Sequence, residues 1–553
     1  MSMITASLWV ARGAPAAFPK KYDVDERELE RISALARLQL DDAKQDLEES
    51  KTGSHAPIEK GDDEEDEDSD MGGVDVTTNG DADDDLKAYD LDHYDDDEAA
   101  SGGDDEPMFG NARSLAYHES NAEDPYITMP EQGEDDEDER EELQILPTDN
   151  MIVAAKVEDE VPYLEVYVYE DEADNLYVHH DIMLPAIPLC VEWFDIPVGQ
   201  DISISDKGAK GNYVAVGTMD PDIELWNLDT VDSMYPNAIL GQGGEGAPAE
   251  NGDGAVKQKK KRRKRSKKAN DDYHVDAVLS LASNKHHRNL FASSSADKTV
   301  KLWDLTTTKC AKSYSHHTDK VCSIAWHPKE STMLLTGSYD RTVVMSDMRA
   351  PTVKGSVWGV ESDVETVIWD SHDSNHFFVT TENGILHMND IRNAPTRPEA
   401  SKAVWTLQAH DESIASIDVN PVIPGFLATG SSDKEVKLWN VQPNGPSMIV
   451  SRNVGVGKVF STKFPTDPEV SFRLAVSGSK GALQVWDTST NAAIRRAFAN
   501  RLGGASEDKE EKIIGVDEDS SDDEEEEAGD AGEEEGAVSR NGNGWESMED
   551  DEA

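Results

Sequence analysis

Paired histidines, a glycine-rich turn ahead of a lysine and 114 acidic residues are what this 553-residue chain offers to chemistry. His179-His180, His286-His287 and His316-His317 are adjacent pairs. Neighbours on a strand point to opposite faces, so such pairs make poor metal ligands. Gly455-Val456-Gly457-Lys458-Val459 lacks the earlier glycine and the following Ser or Thr that a phosphate loop requires. The carboxylates lie in solvated runs, not as an isolated pair held in a strand. No nucleophile motif is present, and Cys190, Cys310 and Cys322 form no C-x-x-C pair. The expectation is a protein with no catalytic residue, no metal and no cofactor, and not an enzyme.

Charge offers more. Lys259, Lys260, Lys261, Arg262, Arg263, Lys264 and Arg265 form the centre of a stretch, 257–268, in which ten of twelve residues are basic. Such a block reads as a nuclear localisation signal or a nucleic-acid contact. The plainer alternative is a solubilising loop, neutralised by acidic segments of the same molecule. Direct RNA contact is the weaker reading, because no aromatic residues interleave to stack bases. Ser520 and Ser521, followed by Asp522, Asp523 and four glutamates, fit an acidic-directed phosphorylation site. The alternative there is an unmodified solubilising tail.

The chain carries 52 Lys plus Arg against those 114 acids, a net charge of −62. That imbalance points to acidic arms beside a folded part. Residues 62–68 are all Asp or Glu, and blocks of this kind cannot bury enough apolar surface to offset chain entropy. Few cysteines suggest a reducing compartment. No run of about 18 apolar residues is present, so no membrane span is expected. The first 19 residues lack the pattern of a signal peptide.

The elements that position the remaining residues are short strands. Residues 290–305 read as two strands joined by a turn, and 427–441 nearly repeat them. Lining up the strand ends gives Trp226, Trp303, Ser346, Asn389, Trp439 and Trp486. Successive separations after Trp303 are 43, 43, 50 and 47 residues. The first gap, 77, falls to that period once roughly 34 residues of low-complexity insertion are removed. A second ladder runs in phase: 321–326 matches 364–369, 414–419 and 459–464, with weaker copies at 278–283 and 190–193. Strands at 151–156, 163–169 and 176–182 make a seventh unit, with Tyr167 near the Trp position. Its missing strand is expected from Tyr126–Met129, which would also protect a sheet edge. In the N-terminal arm, Asp23 and Glu26 form a capping-box pattern, and Leu29, Ile32, Leu35 and Ala36 give one apolar helical stripe. That helix packs on its own domain or binds a partner.

The Trp-Asp endings at 303–304 and 486–487, and the Trp-Asn variants at 226–227 and 439–440, resemble those of the WD-repeat β-propeller family. That family ties each blade with a hydrogen-bonded set of His, Ser or Thr, Asp and Trp. The resemblance assigns the set to His274, Ser295, Asp297 and Trp303; to His317, Ser338 and Asp340; and to His410, Ser431, Asp433 and Trp439. Ser346 stands where Trp belongs in the second of these, so that set is incomplete. The blade ending at Asn389 lacks the pattern.

Within that class the chain resembles the periodic tryptophan protein 1 family. The likeness rests on residues 4–40, Asp124-Pro-Tyr-Ile-Thr128, Pro147-Thr-Asp-Asn-Met151, Tyr177-Val-His-His-Asp-Ile182, Tyr213-Val-Ala-Val-Gly217 and the place of the basic insertion. The expected fold is all-β: a seven-bladed WD-repeat β-propeller with disordered acidic N- and C-terminal arms. The expected divisions are an arm with a short amphipathic helix over 1–50, an acidic region over 51–142 with a docking island at 107–130, the propeller over 143–500 with its basic insertion at 241–272, and an acidic tail over 501–553. The resemblance implies a non-catalytic scaffold of the nucleus and nucleolus, supporting pre-rRNA processing and large-subunit assembly. Its partners would be pre-ribosomal proteins and assembly factors, with rRNA or histones the candidates for the charged segments, and no membrane or small-molecule substrate. A chromatin or histone-binding propeller regulating transcription is the rival reading. An adaptor for ubiquitin ligation or signalling is a weaker one, since no recruiting module is evident beside the propeller.

Overall fold

The computed structural model describes residues 2–24, 28–29, 31–33, 140, 143–199, 210–241, 270–350, 355–498 and 512–516. These form seven four-stranded antiparallel sheets, arranged as the blades of a propeller, plus one two-stranded pairing. Central strands are buried on both faces because each sheet is sandwiched between two others. Phe291 to Ser295 are all buried, as are His376–Thr381 beyond its first residue and Phe426–Gly430 throughout. Such strands read as continuous apolar and small residues, not as alternation.

Each blade begins with an innermost strand facing the channel. In six of the seven, its pairing slips by one residue near the start, between Val278 and Ser280, Val321 and Ser323, Val364 and Thr366, Val459 and Ser461, Pro188 and Cys190, and Ile4 and Ala6. A bulge at a fixed place raises the local twist and lets the inner strands pass one another around the ring.

The last of those pairs corrects an expectation. The first blade takes its missing strand from Ser2–Trp9, which lies innermost and pairs with Asn150–Glu158. It is not supplied by Tyr126–Met129, which lies outside the described residues. The propeller therefore starts at Ser2 and not at 143, and residues 2–9 are not an arm apart from it. Ile4, Ser7, Leu8 and Val10 are buried, so the short apolar piece around Trp9 is core. At the other end, Lys512–Gly515 forms the outermost strand of the seventh blade against Leu483–Asp487. The boundary at 500 thus cuts a blade in two.

The N-terminal chain continues across the second blade. Lys20–Lys21 pairs in parallel with Thr230–Val231, and Ala16 N donates to Asp229 Oδ1 at 2.9 Å. Residues 28–29 and 31–33 are helical, and of the expected apolar stripe Ile32 is half-buried while Leu29 faces solvent. Leu29 is 58% exposed, whereas Glu28 is buried. Arg31 holds Glu28 and donates from Nη1 to the Pro236 carbonyl at 2.6 Å. Arg31 thereby ties this segment to the second blade. Leu35 and Ala36 lie outside the described residues. Among the described residues, no helix is long and apolar enough to cross a membrane.

Candidate functional site

The third blade shows what the His, Ser, Asp and Trp residues do. Trp303 Nε1 donates to Ser293 Oγ at 2.7 Å. Ser293 Oγ lies 2.7 Å from His274 Nε2, and His274 Nδ1 lies 2.9 Å from Asp297 Oδ2. One proton arrangement satisfies every atom: indole N–H to hydroxyl oxygen, hydroxyl to Nε2, and Nδ1–H to carboxylate. It requires a neutral imidazole. Burial pushes His274 below its ordinary value, and Asp297 only partly offsets that. Burial alone would raise Asp297, but His274 and the hydroxyl and amide of Thr299 outweigh it and hold the carboxyl at about 2.

The hydroxyl in this relay is Ser293, not Ser295. Ser295 Oγ instead donates to the Asp276 carbonyl at 2.9 Å and accepts the Asp297 amide at 3.1 Å, fixing the turn that presents Asp297. Ser338 and Ser431 are placed likewise, each accepting the amide of its aspartate, Asp340 at 3.1 Å and Asp433 at 3.2 Å. Residues 293 and 295 share one face of a strand, and spacing from the aspartate could not separate them.

The sixth blade repeats the relay with Trp439, Thr429, His410 and Asp433, at 2.9, 2.8 and 2.8 Å. The fourth blade has His317, Thr336 and Asp340 at 2.8 and 3.0 Å, but Ser346 is too short to reach Thr336. The Ser346 hydroxyl is buried with no hydrogen-bond partner. In the fifth blade, where Asn389 takes the Trp place, His387 Nε2 is likewise without one. Two further blades use glutamate. Trp226 Nε1 donates to Glu224 at 3.1 Å, and Tyr167 donates its hydroxyl to Glu165. Burial raises Glu224 to about 7, only partly offset by the indole N–H. The signal for this was present as Glu224-Leu-Trp226 and Glu165-Val-Tyr167, an acid and an aromatic on one strand face.

A second set of bonds joins blade to blade. Ile324 N donates to Ser280 Oγ, Val367 N to Ser323 Oγ and Thr462 N to Ser416 Oγ, at 3.3, 3.1 and 2.9 Å. Two residues further along the inner strand, Trp326 Nε1 donates to the Ala282 carbonyl and Trp369 Nε1 to that of Ala325, both at 3.1 Å. Ser7 N to Ser461 Oγ at 3.3 Å and Trp9 Nε1 to Lys463 O at 2.9 Å complete both series.

The histidine pairs behave differently from the strand argument. His179 and His180 do not point apart: a bulge opposite Val166 and Tyr167 brings their Nδ1 atoms to 2.8 Å. His180 is buried, which lowers it to about 3, with the charge of His179 adding to the effect. No group of three or more metal-type side chains occurs among the described residues. Burial pushes the Cys190 and Cys322 thiols well above their ordinary value, away from a reactive thiolate. The basic residues Lys259, Lys260, Lys261, Arg262, Arg263, Lys264 and Arg265 and the serines Ser520 and Ser521 lie outside the described residues. The insertion leaves at Gly241 and returns at Asn270, at the end of the ring where the inner strands begin. That is also the end that carries the His–Asp turns.

The family model described as WD domain, G-beta repeat matches residues 269–304, 308–347 and 401–440, the third, fourth and sixth blades. An uncharacterized WD repeat-containing protein of Schizosaccharomyces pombe is 51% identical over 94% of this chain and 95% of its own length. Periodic tryptophan protein 1 of Saccharomyces cerevisiae is 39% identical over 90% of both chains. The periodic tryptophan protein 1 homolog of Drosophila melanogaster is 30% identical over 90% of this chain and 96% of its own.

Proposed function

Because the chain belongs to the periodic tryptophan protein 1 family of WD-repeat propellers, we propose that it is a non-catalytic scaffold for ribosome biogenesis. It supports pre-rRNA processing and large-subunit assembly in the nucleolus. The observation that carries this reading is a likeness running over 90% of both chains, far beyond the three matched repeats. A ring whose His–Asp relays tie strands within the third and sixth blades, and whose inner-strand serines and tryptophans bond blade to blade, suits a platform. Its partners are pre-ribosomal proteins and assembly factors, held in fixed relative positions on the faces of the ring. The basic block at 257–268 directs the protein to the nucleus, and Ser520 and Ser521 accept phosphate. Acidic segments compete with RNA for basic ribosomal proteins, an interaction that weakens with salt.

Depletion followed by gel analysis of ribosomal RNA tests the reading. Large-subunit precursors should accumulate and the large-to-small subunit ratio should fall. Normal precursors and a normal ratio would overturn it. Purification with nucleosomes and without pre-ribosomal proteins would favour the chromatin alternative. A fluorescent fusion lacking 257–268 should be excluded from the nucleus, and full nuclear entry would remove that role from the block.

A further inference from the structure

Three lysines meet on one face of the ring, at the end where the inner strands begin. Lys434 is in the turn of the sixth blade, Lys480 in that of the seventh, and Lys458 in the loop between them. Backbone bonds hold the three together. Val459 N and Lys434 N both donate to the Ser431 carbonyl, at 3.1 and 3.2 Å. Ser479 N donates to Lys458 O at 2.9 Å and Lys480 N to Val456 O at 3.1 Å. All three lysines are exposed, and none forms an ion pair among the described residues. The residues that match Lys434 in the third and fourth blades are paired: Lys298 with Asp319 at 3.6 Å and Arg341 with Asp363 at 3.0 Å. Lys434 holds a left-handed φ of 71°, a conformation uncommon outside glycine. The loop before Lys458 is open: Gly455 has no atom within 4 Å of where a Cβ would stand, so a chain can lie directly on it. Asp411 and Glu412 bound the patch on the far side of Lys434, and Glu435 is engaged with Lys437.

The outermost strand of the seventh blade delivers a complementary chain to this place. In Lys512–Gly515, Lys512 stands opposite Asp487 and Gly515 opposite Gln484. The strand therefore ends level with the turn carrying Lys480. Nine of the eleven residues 517–527 that follow are acidic. Extended, eleven residues span about 35 Å. Crossing two strand spacings to the turn takes about 10 Å, and the next sheet lies about 10 Å beyond.

We propose that residues 517–527 dock within the same molecule on Lys480, Lys458 and Lys434, covering this face of the sixth and seventh blades. Phosphate on Ser520 or Ser521 would tighten this docking. The inference stands independently of the role in ribosome assembly.

Zero-length carbodiimide cross-linking of the dilute full chain, read by mass spectrometry, tests the docking. A mixture of isotopically light and heavy protein separates links within a molecule from links between copies. At low salt, carboxylates of 517–527 should link to Lys434, Lys458 or Lys480 of the same molecule. These links should largely vanish at about 0.5 M salt, where charges are screened within a few ångströms. Links only to lysines of 257–268, only between copies, or none to the three lysines would overturn the proposal.

Discussion

Trp9 Nε1 donates to the carbonyl oxygen of Lys463 at 2.9 Å, across 454 residues of chain. The bond is the same one that Trp326 makes to Ala282 and Trp369 to Ala325, each 44 residues away. The ring is therefore closed at its innermost layer by the first strand of the chain. Asn150–Glu158 pairs with Val161–Glu170 on its outer side, and Ser2–Trp9 takes its inner edge.

Trp9→Ala should lower the thermal midpoint as much as Trp326→Ala does. Both indoles are half-buried against the preceding blade, and each truncation should cost about 2–4 kcal/mol. Parallel melts of the two variants check this. A Trp9→Ala midpoint equal to that of the parent would mean that Ser2–Trp9 does not stabilise the ring.

The relay in the third blade and its absence in the seventh predict unequal sensitivities to one substitution. Trp303 and Trp486 are both fully buried. Trp303 donates to Ser293, whereas Trp486 Nε1 has no hydrogen-bond partner. Trp303→Phe should cost about 1–2 kcal/mol more than Trp486→Phe, because it leaves Ser293 short of a donor in the core. Denaturant midpoints compare the two, and equal losses would remove the relay's energetic role.

Glu224 gives the second blade a pH dependence of known sign. Burial raises its carboxyl from 4.5 to about 7 in the folded state. The folded protein then holds a proton that the unfolded chain releases, so stability falls as pH rises between these values. The contribution is fully present below pH 4.5 and gone above about 7, and amounts to roughly 3 kcal/mol. Glu224→Gln should flatten the difference between melts at pH 4 and pH 8, which bracket the window, relative to the parent. An unchanged pH profile would place the carboxyl near its ordinary value.

The repeats and the seven blades were legible because strand ends and inner strands each recur with one period. Trp303 and Trp439 could be placed from spacing, and the resemblance to WD repeats assigned His274 and Asp297. Ser293 could not be told from Ser295, since both recur at the same intervals and share a face. Ser2–Trp9 escaped for a different reason. About 140 residues separate it from its partner strand, and a strand paired so far away leaves no local turn signal. The docking of Lys512–Gly515 was hidden in the same way, as four residues amid charge. Glu224 and Glu165 were passed over because an acid on a strand reads as solvent-facing until the neighbouring blade is in place.

Ring closure by the N-terminal strand is tested most directly by a cross-link that only this arrangement permits. Ser7 Oγ and Ser461 Oγ lie 2.9 Å apart. The double variant Ser7→Cys, Ser461→Cys should form a disulfide under mild oxidation. Proteolytic cleavage within 51–142 should then leave the two fragments joined on a non-reducing gel and separate on a reducing one, while either single variant separates in both. Fragments of the double variant that part without reductant would contradict the closed ring described here.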